Sequence, residues 1–252
     1  ANQYNSNAQY LLGKIYYDYK FVKQDMNKAI DYLKKSASQD HSHAQYLLGK
    51  IYFEGNSNLR DIDKSIYYLT LSANQYNSDA QLLLGNIYYF GAYIQTNIKE
   101  SIHYYKIASS FNNCQTKNNL GIIYKNGEGV EKNINNAIIY FEEAIKQKNY
   151  TYSLYNLARI YYFGIDIDQN IPKSIKLLEI AAKKHFKPAS SFLYFIYSSG
   201  DNEVLNSEKA AYYLKIIDPN NHIFNQLKVL ISLFCKKMDP QYKSYIDSVF
   251  IS

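Results

Sequence analysis

The chain has 252 residues, 47% of them hydrophobic, with four prolines and ten glycines: enough apolar mass for a packed core and little to interrupt helices. No run of about 18 apolar residues occurs, so nothing in it reads as a membrane span. Its net charge of +6 is mild, and its two cysteines, Cys114 and Cys235, stand apart with no partner motif, so no disulfide framework is expected.

One pattern recurs six times in chain order, beginning at Ala8, Ala44, Ala80, Thr116, Ser153 and Ala189, at spacings of 36, 36, 36, 37 and 36 residues. A fixed period of this length signals a stacked-repeat architecture in which each unit buries its apolar face against its neighbours. Within each copy a small residue, Leu, a second small residue and Tyr fall at offsets 0, 4, 5 and 8, one stripe of a helix. The glycine at offset 5 (Gly13, Gly49, Gly85, Gly121) sits mid-helix, where it costs about 1 kcal/mol relative to Ala. That cost, repeated four times, predicts close approach of a neighbouring helix. Ala158 keeps the small size in the fifth copy. This first helix is expected to end on Gly55, Gly91, Gly127, Gly164 and Gly200 in the left-handed conformation, with Tyr19 in that place in the first copy.

A second helix follows in each copy. Asp25, Asp61, Asn97, Asn133, Asn170 and Asn206 are N-cap types, worth about 1 kcal/mol each. Four residues on come Ala29, Ser65, Ser101, Ala137, Ser174 and Ala210, then Tyr32, Tyr68, Tyr104, Tyr140, Leu177 and Tyr213. Repeats are placed at about 4–39, 40–75, 76–111, 112–148, 149–184 and 185–220. After Asp218-Pro219 the pattern decays into an atypical helix pair, Ile223–Lys236 and Gln241–Phe250, expected to cap the end at 221–252. The chain opens almost inside its first repeat, as a piece of a longer array would, and no signal-peptide pattern is visible there.

The string Ala-x-x-x-Leu-Gly-x-x-Tyr-x-x-Gly, then Asp/Asn-x-x-Lys-Ala-x-x-Tyr-x-x-x-x-Ala, resembles the Sel-1-like repeat, a relative of the tetratricopeptide repeat. Ala44–Ala73, Ala80–Ser109 and Thr116–Ala144 match best, and the resemblance covers about residues 4–218. Relatives typically carry Gly-x-Gly between the two helices; only Gly127-Glu-Gly129 does so here, leaving the shape of the other loops open. The resemblance implies an all-α, right-handed α-solenoid of six antiparallel helix pairs plus the degenerate C-terminal pair. It also implies a non-catalytic adaptor that binds other proteins; fold alone does not choose the partner.

In solenoids of this type the first helix lines the inner wall, so offsets 2, 6 and 9 are expected to face a groove. Offset 2 gives Tyr10, Tyr46, Leu82, Asn118, Tyr155 and Ser191. Offset 6 gives Lys14, Lys50, Asn86, Ile122, Arg159 and Phe195. Offset 9 gives Tyr17, Phe53, Tyr89, Lys125, Tyr162 and Ser198. Aromatic and basic groups are frequent anchors of binding surfaces, so Tyr10, Lys14, Tyr17, Tyr46, Lys50, Phe53, Asn86, Tyr89, Tyr155, Arg159 and Tyr162 are the candidate partner-binding residues. Lys14, Lys50 and Arg159 suit acidic side chains or a C-terminal carboxylate; Asn86 suits a peptide backbone. The competing reading is that some of these rings pack on the next repeat, in a chain with 29 tyrosines.

No catalytic constellation, phosphate loop or cofactor motif is present in the sequence. His41-Ser-His43 lacks the three or four converging ligands that a metal needs and reads as part of a turn. Glu142 and Glu143 read as a solvated face. The repeat length approaches that of one-base-per-repeat RNA readers, which keeps RNA binding as the alternative function, but lysines are spread over both helices rather than set in a stripe. An enzyme is the less expected third class. Sparse cysteines point to the cytoplasm; the sequon Asn149-Tyr-Thr151 keeps a secretory lumen as the alternative.

Overall fold

A computed structural model describes residues 5–18, 23–111, 113–148, 150–199 and 204–220. The expected C-terminal pair, Tyr19, Gly200, Asn149 and Cys235 lie outside them. Among the described residues the regular structure is helical: α1 (Ser6–Asp18), α2 (Met26–Ala37), α3 (Ser42–Glu54), α4 (Ile62–Asn74), α5 (Ser78–Phe90), α6 (Ile98–Ser110), α7 (Cys114–Asn126), α8 (Ile134–Lys148), α9 (Thr151–Phe163), α10 (Ile171–Lys183), α11 (Lys187–Ser199) and α12 (Ser207–Ile217). Two compact units result. The first holds α1 to α8, the start of α9 and residues 165–167; the second holds α9 from Ala158, then α10 to α12. In the first unit α1–α2, α3–α4, α5–α6 and α7–α8 form hairpins, and α2 packs on α3, α4 on α5 and α6 on α7. In the second unit α10 packs on α11 and α11 on α12.

Each hairpin is closed by the same hydrogen bonds. The backbone N–H of the cap residue donates to the carbonyl of the offset-8 tyrosine: Asp25 to Tyr16, Asp61 to Tyr52, Asn97 to Tyr88, Asn133 to Tyr124, Asn170 to Tyr161 and Asn206 to Tyr197, all at 2.8–3.2 Å. The cap side chain then accepts from the N–H three residues on, as Asp25 does from Lys28 at 3.0 Å and Asn206 from Lys209 at 2.9 Å. One residue thus ties off an orphan amide of the second helix and fixes its angle to the first. The offset-8 ring lies flat on the second-helix tyrosine. Tyr16–Tyr32, Tyr52–Tyr68, Tyr88–Tyr104, Tyr124–Tyr140 and Tyr197–Tyr213 stack at 5.6–6.0 Å with planes within 15°. Where Leu177 breaks the pattern, Lys173 Nζ sits 4.1 Å above the Tyr161 ring.

The mid-helix glycines are where the two helices cross. A Cβ on Gly49 would fall 2.5 Å from Leu69 Cγ, and one on Gly121 would fall 2.5 Å from Phe141 Cε1. Leu69 and Phe141 are fully buried. A buried glutamine at offset 1 then joins repeats. Gln45 Nε2 donates to the Ala37 carbonyl of the preceding helix (3.2 Å), and its Oε1 accepts from Gln75 Nε2 (2.7 Å). Gln9 accepts from Gln39 in the same way at 2.7 Å. In the third repeat Phe111 stands where Gln39 and Gln75 do, and Gln81 Oε1 is left buried without a partner. In the fourth the glutamine is replaced by Lys117, buried and paired with Glu143 at 3.0 Å. Glu143, 44% exposed, therefore ties α8 to α7 as well as facing solvent.

Gly91, Gly127 and Gly164 take the left-handed conformation, but Gly55 does not, at φ −56°. Its place is fixed by space instead: a Cβ there would lie 2.9 Å from the Ile51 carbonyl oxygen and 2.9 Å from Leu59 Cβ. Two of the loops lacking the second glycine reach the conformation of Gly129 (φ 67°) with Tyr93 (φ 69°) and Asp166 (φ 53°).

Two stability outcomes follow from this packing. Gly49→Ala gains roughly 1 kcal/mol of helix propensity, but it displaces Leu69 at its branch point, and overpacking costs about 1–3 kcal/mol. A net loss of about 1 kcal/mol in urea unfolding is expected; an unchanged or raised midpoint would show that the crossing is not tight. Phe111→Gln supplies the missing donor to Gln81, whose unmet acceptor costs about 1–3 kcal/mol. It gives up the ring contact with Tyr76 at 5.9 Å, worth about 0.5–1.5 kcal/mol. The variant should be more stable than the parent by about 1 kcal/mol in thermal unfolding.

Candidate functional site: the first-helix wall

α3 and α5 are the first helices of neighbouring repeats. They touch directly, and among the described residues no two second helices of neighbouring repeats pack as closely. With offsets 0, 4 and 5 of α3 turned into the core, offsets 2, 6 and 9 lie on the opposite side of the helix. In the first four repeats these positions are half-buried or exposed, with one correction: Asn118 is buried, accepting from Ser153 Oγ and Asn156 Nδ2, both at 3.1 Å.

Each candidate residue has a definite place. Tyr10 is half-buried and stacks on His41 of the next repeat at 4.8 Å. Lys14 is exposed. Tyr17 packs against the core around Ile51 and Tyr52. Tyr46 and Phe53 pack against the core around Leu69 and Leu84, and Phe53 meets Tyr93 edge-on at 6.4 Å. Tyr89 packs against the core around Tyr105 and Leu120. The rings at these positions are therefore wedges between repeats, as the competing reading expects, and each keeps part of its surface in solvent. Tyr155 falls in the first unit, half-buried. Arg159, exposed, and Tyr162 fall in the second, where Tyr162 joins Phe163, Phe192 and Phe195 at 4.9–6.4 Å.

Three of the candidates converge. Tyr46, Lys50 and Asn86 line a hollow of about 180 Å³ between α3 and α5, together with Glu54, Asp79, Leu82 and Leu83. Burial, and then the Asp79 and Glu54 carboxylates, push the Tyr46 phenol up to about 12. Burial and then Glu54 and Asp18 raise Tyr17. Burial and a hydrogen bond to the Glu128 carboxylate raise Tyr89 further. Lys50 reaches Glu54 at 3.9 Å. The nearest carboxylate to Lys50 thus belongs to its own helix, and a second one, Asp79, helps to line the same hollow. Asn86 is partly committed as well. Its Oδ1 accepts from Tyr105 Oη (2.7 Å) and Asn119 Nδ2 (3.4 Å), which leaves the amide N–H pair to offer a ligand.

Glu54 and Asp79 were not singled out by offset. Glu54 is the last residue of α3, and Asp79 lies in the first turn of α5, one residue before the small residue. Reading the end of one first helix against the start of the next would have found them. A larger cleft of about 740 Å³ in the second unit, lined by Pro172, Ile175, Glu179, Tyr197 and Leu205 among others, contains none of the candidates.

His41 proves to be a helix cap. Its Nδ1 accepts from the Ala44 N–H at 3.2 Å, so its Nε2 carries the proton donated to Asn7 Oδ1 at 2.9 Å. Both nitrogens are engaged, and His43 lies ring to ring with it at 5.9 Å. Burial, then the nearby His43, lower the His41 pKa below its ordinary value. A depressed folded-state pKa means the cap contributes fully above the unfolded value of about 6.5 and is lost as pH falls through the folded value. Asn fills this cap position at Asn77 and Asn113. His41→Asn should therefore lose less thermal stability than the parent between about pH 7 and about pH 5. Parallel melting curves across that range would refute the assignment.

The paired helices and repeated wall define a helical-repeat scaffold, and the comparisons agree. The Sel1 repeat family matches residues 6–41, 42–77, 78–110, 117–149 and 151–186, and the chain belongs to that family. Sel1-repeat proteins generally mediate protein–protein interaction and are generally non-catalytic. A protective antigen of uropathogenic Escherichia coli strains, with an SLR fold, is 25% identical with a TM-score of 0.77; the match covers 94% of this chain and 52% of that one. This chain thus spans about half of that protein. A Sel1 repeat protein from Oxalobacter formigenes is 24% identical, with a TM-score of 0.74 over 85% of this chain and 86% of that one. An immunity protein of Pseudomonas aeruginosa shares the fold at 17% identity, with a TM-score of 0.53 over 87% of this chain and 82% of its own. No curated protein matches the chain.

Proposed function

We propose that this chain is a non-catalytic scaffold that holds a segment of another protein along the first-helix wall of its first unit. The observation that carries the reading is the convergence of Tyr46, Lys50 and Asn86, from two successive repeats, on one open hollow. Half-buried tyrosines flank it, and Tyr10 and Tyr17 are close enough to act on the Tyr46 hydroxyl. Rigid aromatic groups with one polar edge in solvent are typical anchors of protein interfaces. A hollow of this size accepts a side chain, and a wall repeated every 36 residues accepts a chain segment.

Replacing Tyr46, Lys50 and Tyr89 together with alanine should cut partner capture in a quantitative pull-down by tenfold or more, about the loss of one interface hot spot. Far-ultraviolet circular dichroism should keep its helical signal, with a lowered melting temperature because two of the rings are wedges. Tyr46→Phe, which keeps the ring as a wedge and removes only its hydroxyl, should weaken capture without that drop. If both variants capture partner as the parent does, the wall is not the binding surface.

A further inference from the structure

We propose that the hollow between α3 and α5 receives a basic side chain, arginine above all, from the segment that the scaffold holds. The proposal rests on the scaffold reading above and adds the chemistry of the occupant. Two carboxylates, Glu54 and Asp79, border the hollow against one lysine. That lysine is weakly engaged. Lys50 lies 3.9 Å from Glu54, whereas Lys35 is 2.8 Å from Asp31, Lys64 is 2.6 Å from Asp61 and Lys132 is 2.6 Å from Asp166. Asp79 makes no ion pair among the described residues.

The surroundings favour a cation over an anion. The Asp79 and Glu54 carboxylates both raise the Tyr46 phenol's pKa, as negative neighbours do, so two carboxylates lie close to the hollow in a chain whose net charge is +6. That overall positive charge is screened beyond about 8 Å at physiological ionic strength, so over the last few ångströms the near carboxylates decide. A guanidinium presents a planar fork to carboxylates, sheds water more readily than an ammonium and stacks on an aromatic face. Tyr46 supplies such a face, and Leu82 supplies apolar wall for the methylene stem. An acidic side chain would meet two like charges there and only one competing lysine.

The test uses the whole chain as bait for a random-peptide display library, followed by titration of a selected peptide. Enrichment of arginine or lysine in the selected peptides is expected. So is about a tenfold or greater weakening by Glu54→Gln with Asp79→Asn, the loss of a charge-assisted contact. Both substitutions are isosteric and at exposed positions, so the parent's melting temperature should be retained. Replacing the peptide's basic residue with glutamine should cost a similar factor on the parent and almost nothing on the double variant. Peptides that lose binding with Tyr46→Ala but carry no basic residue, or bind the double variant as well as the parent, overturn the inference and leave the scaffold reading standing. Peptides indifferent to both Tyr46→Ala and Tyr89→Ala overturn the scaffold reading, and the inference with it.

Discussion

The hydrogen bond from the cap residue's N–H to the carbonyl of the offset-8 tyrosine sets the geometry on which everything else depends. It occurs in all six repeats. A helix end normally leaves its last carbonyls and the next helix's first amides without partners. Here one residue joins the two sets, so the second helix starts at a fixed angle and distance from the first. The tyrosine stack above the bond and the glycine crossing below it hold the same hairpin at two further heights. Each stack is worth about 0.5–1.5 kcal/mol beyond the area it buries. The repeat needs no long-range constraint, because each hairpin is fixed locally and then copied.

Fixing the hairpin also fixes which side of the first helix remains outside. Offsets 0, 4 and 5 are consumed by the crossing, and offset 1 by the glutamine that reaches both its own second helix and the preceding repeat. What is left is the strip at offsets 2, 6 and 9. Most of that was legible, because period and offset are properties of one helix. Six capped hairpins, the small-residue crossing and the position of Tyr46, Lys50 and Asn86 follow from counting alone. Asn118 departs because the fifth repeat brings Ser153 and Asn156 to it, and the partners of a polar side chain cannot be counted out. Glu54 and Asp79 escaped for a related reason: they share a hollow only because α3 and α5 touch. Gly55 shows the limit at the level of the backbone. A glycine after a helix usually signals left-handed φ, yet here it signals a lack of room beside Leu59.

Tyr93 and Asp166 show how two of the loops do without the second glycine. A left-handed conformation costs an L-residue roughly 1–2 kcal/mol. Tyr93 offsets this with Phe53 at its edge and the Arg60 guanidinium 4.5 Å from its ring centre, and Asp166 with Lys132 at 2.6 Å. In both cases the compensating group comes from the preceding repeat. The glycine is therefore dispensable where a neighbouring repeat can hold the strained residue, and the loop then becomes one more link in the stack.

The same economy bears on recognition. A free aromatic side chain on a surface would lose rotamer freedom on binding, and an interface of such groups is weakened by that cost. On this wall Tyr17, Tyr46, Phe53 and Tyr89 are already held by the packed repeats, so the binding role proposed for them would start from ordered side chains. The offset-8 rings and their second-helix partners are spent on hairpin stacks, and the wall rings are half spent on stacking the repeats. What remains for a partner is their edges and hydroxyls, set beside Glu54 and Asp79. On the reading proposed above, selectivity rests with those carboxylates and with Asn86, because wall tyrosines recur from repeat to repeat whereas that polar set occurs at one step of the stack.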